Sequence, residues 1–278
     1  MKFRYLGTAA SEGWPALFCN CEYCLKAKKL GGKNLRTRSQ AIVNDDMLID
    51  FPGDTFAHML ATGMDFSKVR WCLVTHSHCD HFVPIDLCFH AEGCYAHNMT
   101  EKPNRTAEMA DILHQASMLY MASNFPIDNG ATAMEVIPLY QPRQYGKYTV
   151  TALRANHMPS EEAHIYIISD GEKTMLYLHD TGLLFDEVWD YLIKSNTKAD
   201  FVSYDCTFVA LPSGGGHMGL DSCTVTRDRF LKEGIIDNHT INCINHFSHN
   251  GMLVHDELVP VAEKLGFLTA YDGMEIEF

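Results

Sequence analysis

Thr75-His76-Ser77-His78-Cys79-Asp80-His81 directly follows a largely apolar run, residues 69–74, that is typical of a buried strand. Three imidazoles and one carboxylate therefore fall within six residues. Zinc, manganese and iron all accept these groups as ligands. In a tight loop after a strand, His76 and His78 can face one metal while Asp80 and His81 face a second. The alternative, a solvated histidine-rich loop, is weakened by the ligand-type residues that recur at later strand ends.

Three such residues follow predicted strands in the second half of the chain. His157 comes after the strand 148–155, Asp180 after the hairpin 165–178, and His246 after the strand 240–245. Any one of them alone would be better explained as a polar residue satisfied at a strand end. Together they complete two metal sites, with Asp180 bridging because a carboxylate has two oxygens. The predicted ligands are His76, His78 and His157 for one metal, and Asp80, His81 and His246 for the other.

Two further acids stand at predicted strand ends, Asp50 and Asp205. An acid in this position can hold a ligand histidine through the nitrogen that does not bind the metal. We predict this supporting role for both. For Asp50 the alternative is a turn-forming residue, since Pro52-Gly53 follows closely.

Cys19, Cys21 and Cys24 form a CxCxxC motif near the start of the chain. Three thiolates at this spacing can wrap one zinc ion, and the fourth ligand must come from elsewhere. We assign that role to His249, three residues after His246, which gives a structural Cys3His zinc site on a small cysteine-rich loop of about residues 17–26. The alternatives are unligated cysteines in a mobile loop and a surface histidine.

Composition narrows the class of protein. The chain has 278 residues and a net charge of −13, which argues against a general nucleic-acid surface. No apolar run is long enough to span a bilayer, and ten cysteines without an export signal indicate reduced thiols in the cytoplasm. We predict a single domain, residues 1–278. A helical insertion at about residues 95–130 either covers the site or forms a plain surface pair of helices.

The HxHxDH pattern of residues 76–81 resembles the signature of the metallo-β-lactamase superfamily. That resemblance implies an α/β fold, an αββα sandwich with the metals at one edge of its two sheets. The further motifs Asn156-His157, His179-Asp180-Thr181-Gly182 and Tyr271 to Ile276 are similar to those of the PhnP-like phosphoribosyl 1,2-cyclic phosphate phosphodiesterases. Residues 95–130 and the context Gly214 to Met218 depart from that family.

The PhnP-like resemblance implies a homodimeric dinuclear hydrolase, with manganese favoured over zinc or iron in the active site and one structural zinc. It also matches His217 to an active-site histidine outside the metal set. The expected reaction is hydrolysis of a small cyclic phosphodiester, with Asp80 and Asp180 holding metal and His217 protonating the leaving alkoxide. The alternatives are a lactone or thioester hydrolase, a tRNA 3′-processing nuclease of the same fold, and a non-catalytic metal or metabolite binder.

Overall fold

The computed structural model describes residues 1–83, 86–87, 96–99 and 136–278. Five α-helices occur in these residues: α1 (Glu22–Leu30), α2 (Thr55–Thr62), α3 (Asp186–Lys194), α4 (Leu220–Lys232) and α5 (His255–Lys264). The twelve strands are β1 (Lys2–Gly7), β2 (Gln40–Val43), β3 (Met47–Ile49), β4 (Trp71–Leu73), β5 (Arg143–Tyr145), β6 (Tyr148–Arg154), β7 (His164–Ser169), β8 (Thr174–Leu178), β9 (Phe201–Asp205), β10 (Ile241–Asn245), β11 (Leu268–Thr269) and β12 (Glu275–Glu277).

The strands form two sheets. The first has five strands in the order β12-β1-β2-β3-β4, and the second has seven in the order β11-β10-β9-β8-β7-β6-β5. The pairs β3–β4, β8–β9, β9–β10 and β10–β11 are parallel, and the others are antiparallel. The carboxyl ends of β8, β9 and β10 therefore meet at one edge of the second sheet.

Strict alternation of side chains builds the interior of the first sheet. In β3, Met47 and Ile49 belong to the large core between the sheets, whereas Leu48 between them belongs to a separate outer cluster. This follows from the two-residue period of a strand, which sends successive side chains to opposite faces. The two sheets contact each other directly: the ring centroids of Phe3 and Phe201 are 5.1 Å apart.

Helices cover both outer faces. On the first sheet, His58 of α2 bonds through Nδ1 to Gln40 Oε1 of β2 at 2.6 Å. On the second sheet, Phe230 of α4 packs 6.3 Å from the ring of Tyr204 and 4.9 Å from Trp189 of α3. The order helix, sheet, sheet, helix confirms the predicted αββα sandwich.

Local structure differs from the sequence-based expectation at the starts of two helices. The cysteine-rich segment is only partly a loop, because α1 begins at Glu22, directly after the second cysteine of the motif. The sequence predicts a helix over 221–233 that Asp221 caps, but Asp221 lies inside the first turn of α4 and the residue that caps this helix is Gly219. Apart from residues 96–99, the predicted helical insertion lies outside the described residues. In the part of the chain that the structure describes, no helix is long and apolar enough to cross a membrane.

Candidate metal centre

The strand ends bring all seven predicted ligands of the two metals to one edge of the sandwich. The loop with His76, His78, Asp80 and His81 leaves β4 of the first sheet. The other three ligands follow strands of the second sheet: His157 after β6, Asp180 after β8 and His246 after β10. Because these strands run in the same direction, their carboxyl ends deliver side chains to the same place.

The first group contains three histidines whose ring nitrogens lie within reach of one ion. His76 Nε2 is 2.9 Å from His78 Nδ1, and His157 Nε2 is 3.4 Å from the same atom. Three converging imidazole nitrogens are suited to a divalent cation. The sequence predicted this set, and the structure brings its members together.

The second group contains Asp80, His81 and His246. His81 Nε2 is 3.2 Å from Asp80 Oδ2 and 3.3 Å from His246 Nε2. Asp180 lies between the two groups. Its Oδ2 is 2.5 Å from His81 Nε2 and 3.5 Å from His76 Nε2, while its Oδ1 is 3.1 Å from His246 Nε2. This is the position expected of a bridging carboxylate.

Three of the histidines are oriented through the nitrogen that faces away from the centre. His81 Nδ1 donates to Asp50 Oδ2 at 2.7 Å, which is the role predicted for Asp50. His76 Nδ1 donates to Thr75 Oγ1 at 2.9 Å, and His246 Nδ1 donates to Thr207 Oγ1 at 2.8 Å. These contacts leave Nε2 of each ring as the lone-pair nitrogen that can bind a metal.

The chemistry of the donor set fits bound cations. Asp180 is buried, and its Oδ2 faces only the Nε2 atoms of His81 and His76, although burying a charged oxygen away from positive charge is costly. Burial opposes charge on His81, but Asp180, Asp50 and Asp80 outweigh it and raise its pKa well above the ordinary value. The buried carboxylates therefore require positive charge at this point, and divalent cations would supply it in place of protons.

His217 stands beside this centre and outside both groups. Its Nδ1 is 2.8 Å from Asp205 Oδ2 and 3.4 Å from Asp180 Oδ1. Burial alone would lower the pKa of His217, but the charge and hydrogen bond of Asp205 raise it to about 9. Asp205 was predicted to hold a ligand histidine, but its hydrogen bond is to His217. Its Oδ2 lies 3.9 Å from Nδ1 of the ligand histidine His246, which is too far for a hydrogen bond.

Three residues of the centre have backbone conformations that residues other than glycine rarely adopt. The φ angles of Asp50, Asp180 and His246 are 66°, 51° and 63°, all in the left-handed region. Asp50 and His246 directly follow the last residue of a strand, and Asp180 is the second residue after the end of β8. The turn at each strand end redirects the side chain toward the centre.

The cysteine cluster lies near the metal centre because the same loop serves both. His249, three residues after His246, places Nδ1 3.4 Å from Cys21 Sγ and 3.8 Å from Cys19 Sγ. Cys24 completes the group from the first turns of α1 and is fully buried. Burial opposes ionisation of Cys21, but hydrogen bonds from the Cys24 backbone and from His249 lower its pKa to about 6. Four such ligands match a closed zinc site.

A family model described as Anti-Pycsar protein Apyc1 matches residues 39–240. The chain belongs to this family. The matched range contains all the residues of the two metal groups except His246, and it includes His217. No curated protein is significantly similar to this Apyc1-family chain in sequence.

Solved structures place the Apyc1-family chain in a wider fold group. Zn²⁺-bound PqqB from Methylobacterium extorquens is 17% identical with a TM-score of 0.77, and both chains are covered in full. A diphosphatase of the PhnP family is 18% identical with a TM-score of 0.75, covering 100% of this chain and 98% of that one. The short form of human tRNase Z is 14% identical with a TM-score of 0.63, covering 100% and 99%. These likenesses confirm the metallo-β-lactamase fold, which this chain shares with metal-dependent hydrolases.

Sequence reasoning did not predict the hydroxyl side chains that orient the ligands. Thr207 accepts from His246 and also lies 3.2 Å from His217 Nδ1. Thr75 links Asp50 to His76, because its hydroxyl donates to Asp50 Oδ1 at 2.9 Å. Their positions in the sequence were the one signal that could have found them. Thr75 is adjacent to His76, and Thr207 is two residues after Asp205.

Proposed function

We propose that this protein is a dinuclear metal-dependent hydrolase that cleaves a small cyclic phosphodiester of the phosphoribosyl type. One observation carries the proposal: the buried Asp180 carboxylate lies between two groups of imidazoles, with Oδ2 facing His81 and His76 and Oδ1 facing His246. A shared carboxylate of this kind is typical of two-metal hydrolases. His217 beside it supplies a proton-bearing group that neither metal needs.

The metal ligands have distinct roles in this proposal. His76, His78 and His157 would hold one cation, while Asp80, His81 and His246 would hold the other. Bound divalent cations, manganese or zinc with iron as a third option, would supply a nucleophile at neutral pH and offset charge on the phosphoryl oxygens. Asp180 fixes the spacing of the two groups, because its two oxygens face different histidines.

His217 moves the proton in the proposed reaction. Asp205 fixes its Nδ1 at 2.8 Å, so Nε2 is the atom free to donate toward a leaving oxygen. Asp205 also accepts the backbone N–H of Thr207 at 2.9 Å and of Met218 at 3.3 Å, which holds the carboxylate itself in place. An imidazole oriented in this way is suited to protonating a poor alkoxide leaving group.

A small substrate is favoured over a nucleic acid. The net charge of −13 gives no general attraction for a polyanion. The PhnP-like motifs in the sequence point to a cyclic phosphodiester, and they also motivate the proposal that the protein acts as a homodimer. We further propose that the hydrolysis serves an anti-Pycsar role, because that is the description of the family. A cellular assay of Pycsar with the wild type and with an inactive variant tests this role.

The activity is tested with bis(p-nitrophenyl) phosphate and Mn²⁺. We expect hydrolysis that depends on the metal and is mostly lost in Asp180→Asn. The matched control is Asp190→Asn, which changes an exposed acid on α3 and should leave activity intact. A panel of cyclic phosphodiesters, lactones and thioesters then defines the substrate class. Metal-loaded protein that opens lactones or thioesters but leaves phosphodiesters uncut would contradict the proposal.

We also propose that Cys19, Cys21, Cys24 and His249 bind one zinc ion. The supporting observation is the convergence of three sulfurs and one imidazole nitrogen within 4.8 Å of one another. Four protein ligands leave no open position for a substrate, so this ion would support structure alone.

A further inference from the structure

A buried carboxylate lies close to the metal centre without being part of either ligand group. Glu161 belongs to the loop that follows His157, and its side chain is only 5% exposed. Its Oε2 accepts the backbone N–H of Ser77 at 3.3 Å. Its other oxygen, Oε1, is buried and has no hydrogen-bond partner. A buried carboxylate oxygen without a partner is costly, so a donor is expected to reach it in the working protein.

His78 is the ligand histidine with the opposite ring orientation. Its Nδ1 faces His76 and His157, at 2.9 and 3.4 Å from their Nε2 atoms. Its Nε2 therefore points away from the centre, where it lies 2.7 Å from Met158 Sδ and 3.9 Å from Glu161 Oε1. The other four ligand histidines point Nδ1 outward, and each has an oxygen within hydrogen-bonding distance: on Thr75, Asp50, Gly216 and Thr207.

We propose that Glu161 is the positioning residue of His78. When the first group holds its metal, Oε1 of Glu161 accepts the Nε2–H of His78. This contact would place the proton on Nε2, keep the lone pair on Nδ1 and raise the basicity of the ring toward the metal. A shift of about 1 Å at the end of a side chain closes the present gap to hydrogen-bonding distance. The inference rests on the metal binding in the proposed function.

Glu161 is also placed to serve only one of the two metals. Its backbone lies in the loop that carries His157, and its Oε2 bonds to Ser77 in the loop that carries His76 and His78. It therefore links the two loops that carry the histidines of the first group, and the ligand ring that faces its free oxygen is that of His78 in this group. The histidines of the second group are held instead by Asp50 and Thr207. Loss of Glu161 should consequently weaken one site selectively.

Calorimetric titration of Mn²⁺ into protein stripped of active-site metal tests this inference. Wild-type protein should bind two ions at this centre. In Glu161→Gln we expect the Kd of one ion to rise roughly 10–100-fold and that of the other to change little, as is usual for partners of metal ligands. The control is Glu162→Gln. It removes the same charge from the neighbouring residue, whose side chain pairs with His164 and not with His78.

A double-mutant cycle separates an effect through His78 from a general one. If Glu161 acts through His78, then Glu161→Gln should cause no further loss of affinity in a His78→Ala background. The thermal stability of the metal-free Glu161→Gln protein should not fall, because the change removes a buried charge whose Oε1 has no partner. Equal weakening of both ions, an equal effect of Glu162→Gln, or unchanged affinity in Glu161→Gln would each overturn the inference. Wild-type protein that binds no ion pair would instead contradict the proposed function.

Discussion

At the scale of single residues, the centre depends on which nitrogen of each ring is free. Asp50, Thr75 and Thr207 fix Nδ1 of three ligand histidines, and Asp205 fixes Nδ1 of His217. In each case the partner is an oxygen, so the ring is held in one orientation. In the proposed reaction, this arrangement separates the ligand histidines, which present a lone pair, from His217, which presents a proton.

His217→Ala should separate proton donation from metal binding. Metal content should be unchanged, because His217 lies outside the seven ligands. Diesters with poor alkoxide leaving groups should react roughly 10²–10⁴-fold more slowly, the usual size of a general-acid contribution. A p-nitrophenyl diester should be much less affected, since its leaving group needs no proton. Rates for both substrate types and metal analysis of the same samples provide the measurement.

The alternatives for His217 give different patterns. An equal loss on both substrate types would indicate phosphate binding, and loss of one metal would make His217 a ligand. His239→Ala is the matched control, because His239 is exposed and lies at the opposite end of β10 from the centre. It should change neither rate.

The sequence predicted the seven candidate ligands and the supporting role of Asp50, but it did not predict Thr75, Thr207 or Glu161, for a physical reason. A ligand histidine is marked by its place after a strand and by the motif around it. The contact of Glu161 with Ser77, 84 positions away, depends on the path of a loop that no local pattern fixes. Thr207 is similar, because a threonine two residues past a strand is common and only the fold places it against His246.

At the scale of elements, the long, strongly patterned segments were predictable and the short ones were not. The sequence predicts the hairpin 165–178 and helices over 186–195 and 256–265, and β7–β8, α3 and α5 agree with these ranges within one or two residues. The three-residue strand β5 was missed, because two of its side chains are exposed and give no alternation to detect. The sequence did not predict α1. Its buried face consists of only Cys24 and Ala27, and the basic segment Lys26 to Lys29 leaves no clear helical pattern of apolar residues.

The cysteine cluster joins elements that are distant in the chain. It connects the start of α1 to the loop after β10. A zinc ion bound there should therefore contribute to the stability of the fold and have little effect on catalysis. Cys21→Ser should lower the melting temperature by several degrees or more, since ~1 kcal/mol corresponds to ~2–4 °C in a domain of this size. The specific activity of the protein that remains folded should fall much less. Calorimetry and zinc analysis of reduced protein measure both.

Asn20→Ser serves as the matched control for the zinc cluster. It alters an exposed side chain between two of the cysteines and should leave zinc content and melting temperature in place. Freshly purified wild-type protein without zinc at this cluster would contradict the structural-zinc proposal.

At the scale of the whole molecule, a buried arginine connects three distant parts of the chain. Arg36 donates to Thr8 Oγ1 at 2.8 Å, to the Ala270 carbonyl at 2.7 Å and to His255 Nδ1 at 2.9 Å. Its guanidinium also lies 4.2 Å from the ring centre of Phe247, the residue after His246. The N-terminal segment, α5 and the segment after β11 are thereby held against the metal-bearing loop.

This network makes stability depend on pH through His255. Burial, with added repulsion from Arg36 and Lys33, lowers the pKa of His255 from 6.5 to about 4. As the pH falls from 6.5 toward 4, the unfolded chain binds a proton that the folded protein excludes, so stability is lost in that window and retained above it. The expected loss between pH 7.5 and pH 5 is roughly 2 kcal/mol.

His255→Gln should remove that part of the pH dependence. The amide oxygen can still accept from Arg36, but glutamine does not titrate. Urea unfolding of both proteins at pH 7.5 and pH 5 measures the difference. His239→Gln, at an exposed position, should keep the wild-type slope. An unchanged slope in His255→Gln would show that other groups dominate the acid sensitivity.

The left-handed backbone of Asp50, Asp180 and His246 implies a trade-off between the stability of the fold and the proposed activity. Conformations of this kind cost of order 1–3 kcal/mol each and persist only where the surrounding structure enforces them. Glycine would relax all three turns, but it would also remove two of the proposed metal ligands and the carboxylate that holds His81. Descendants of this chain that no longer need the reaction would therefore be expected to drift toward glycine at these positions and become harder to unfold. A thermostabilised design that keeps the reaction must instead gain its stability elsewhere in the fold.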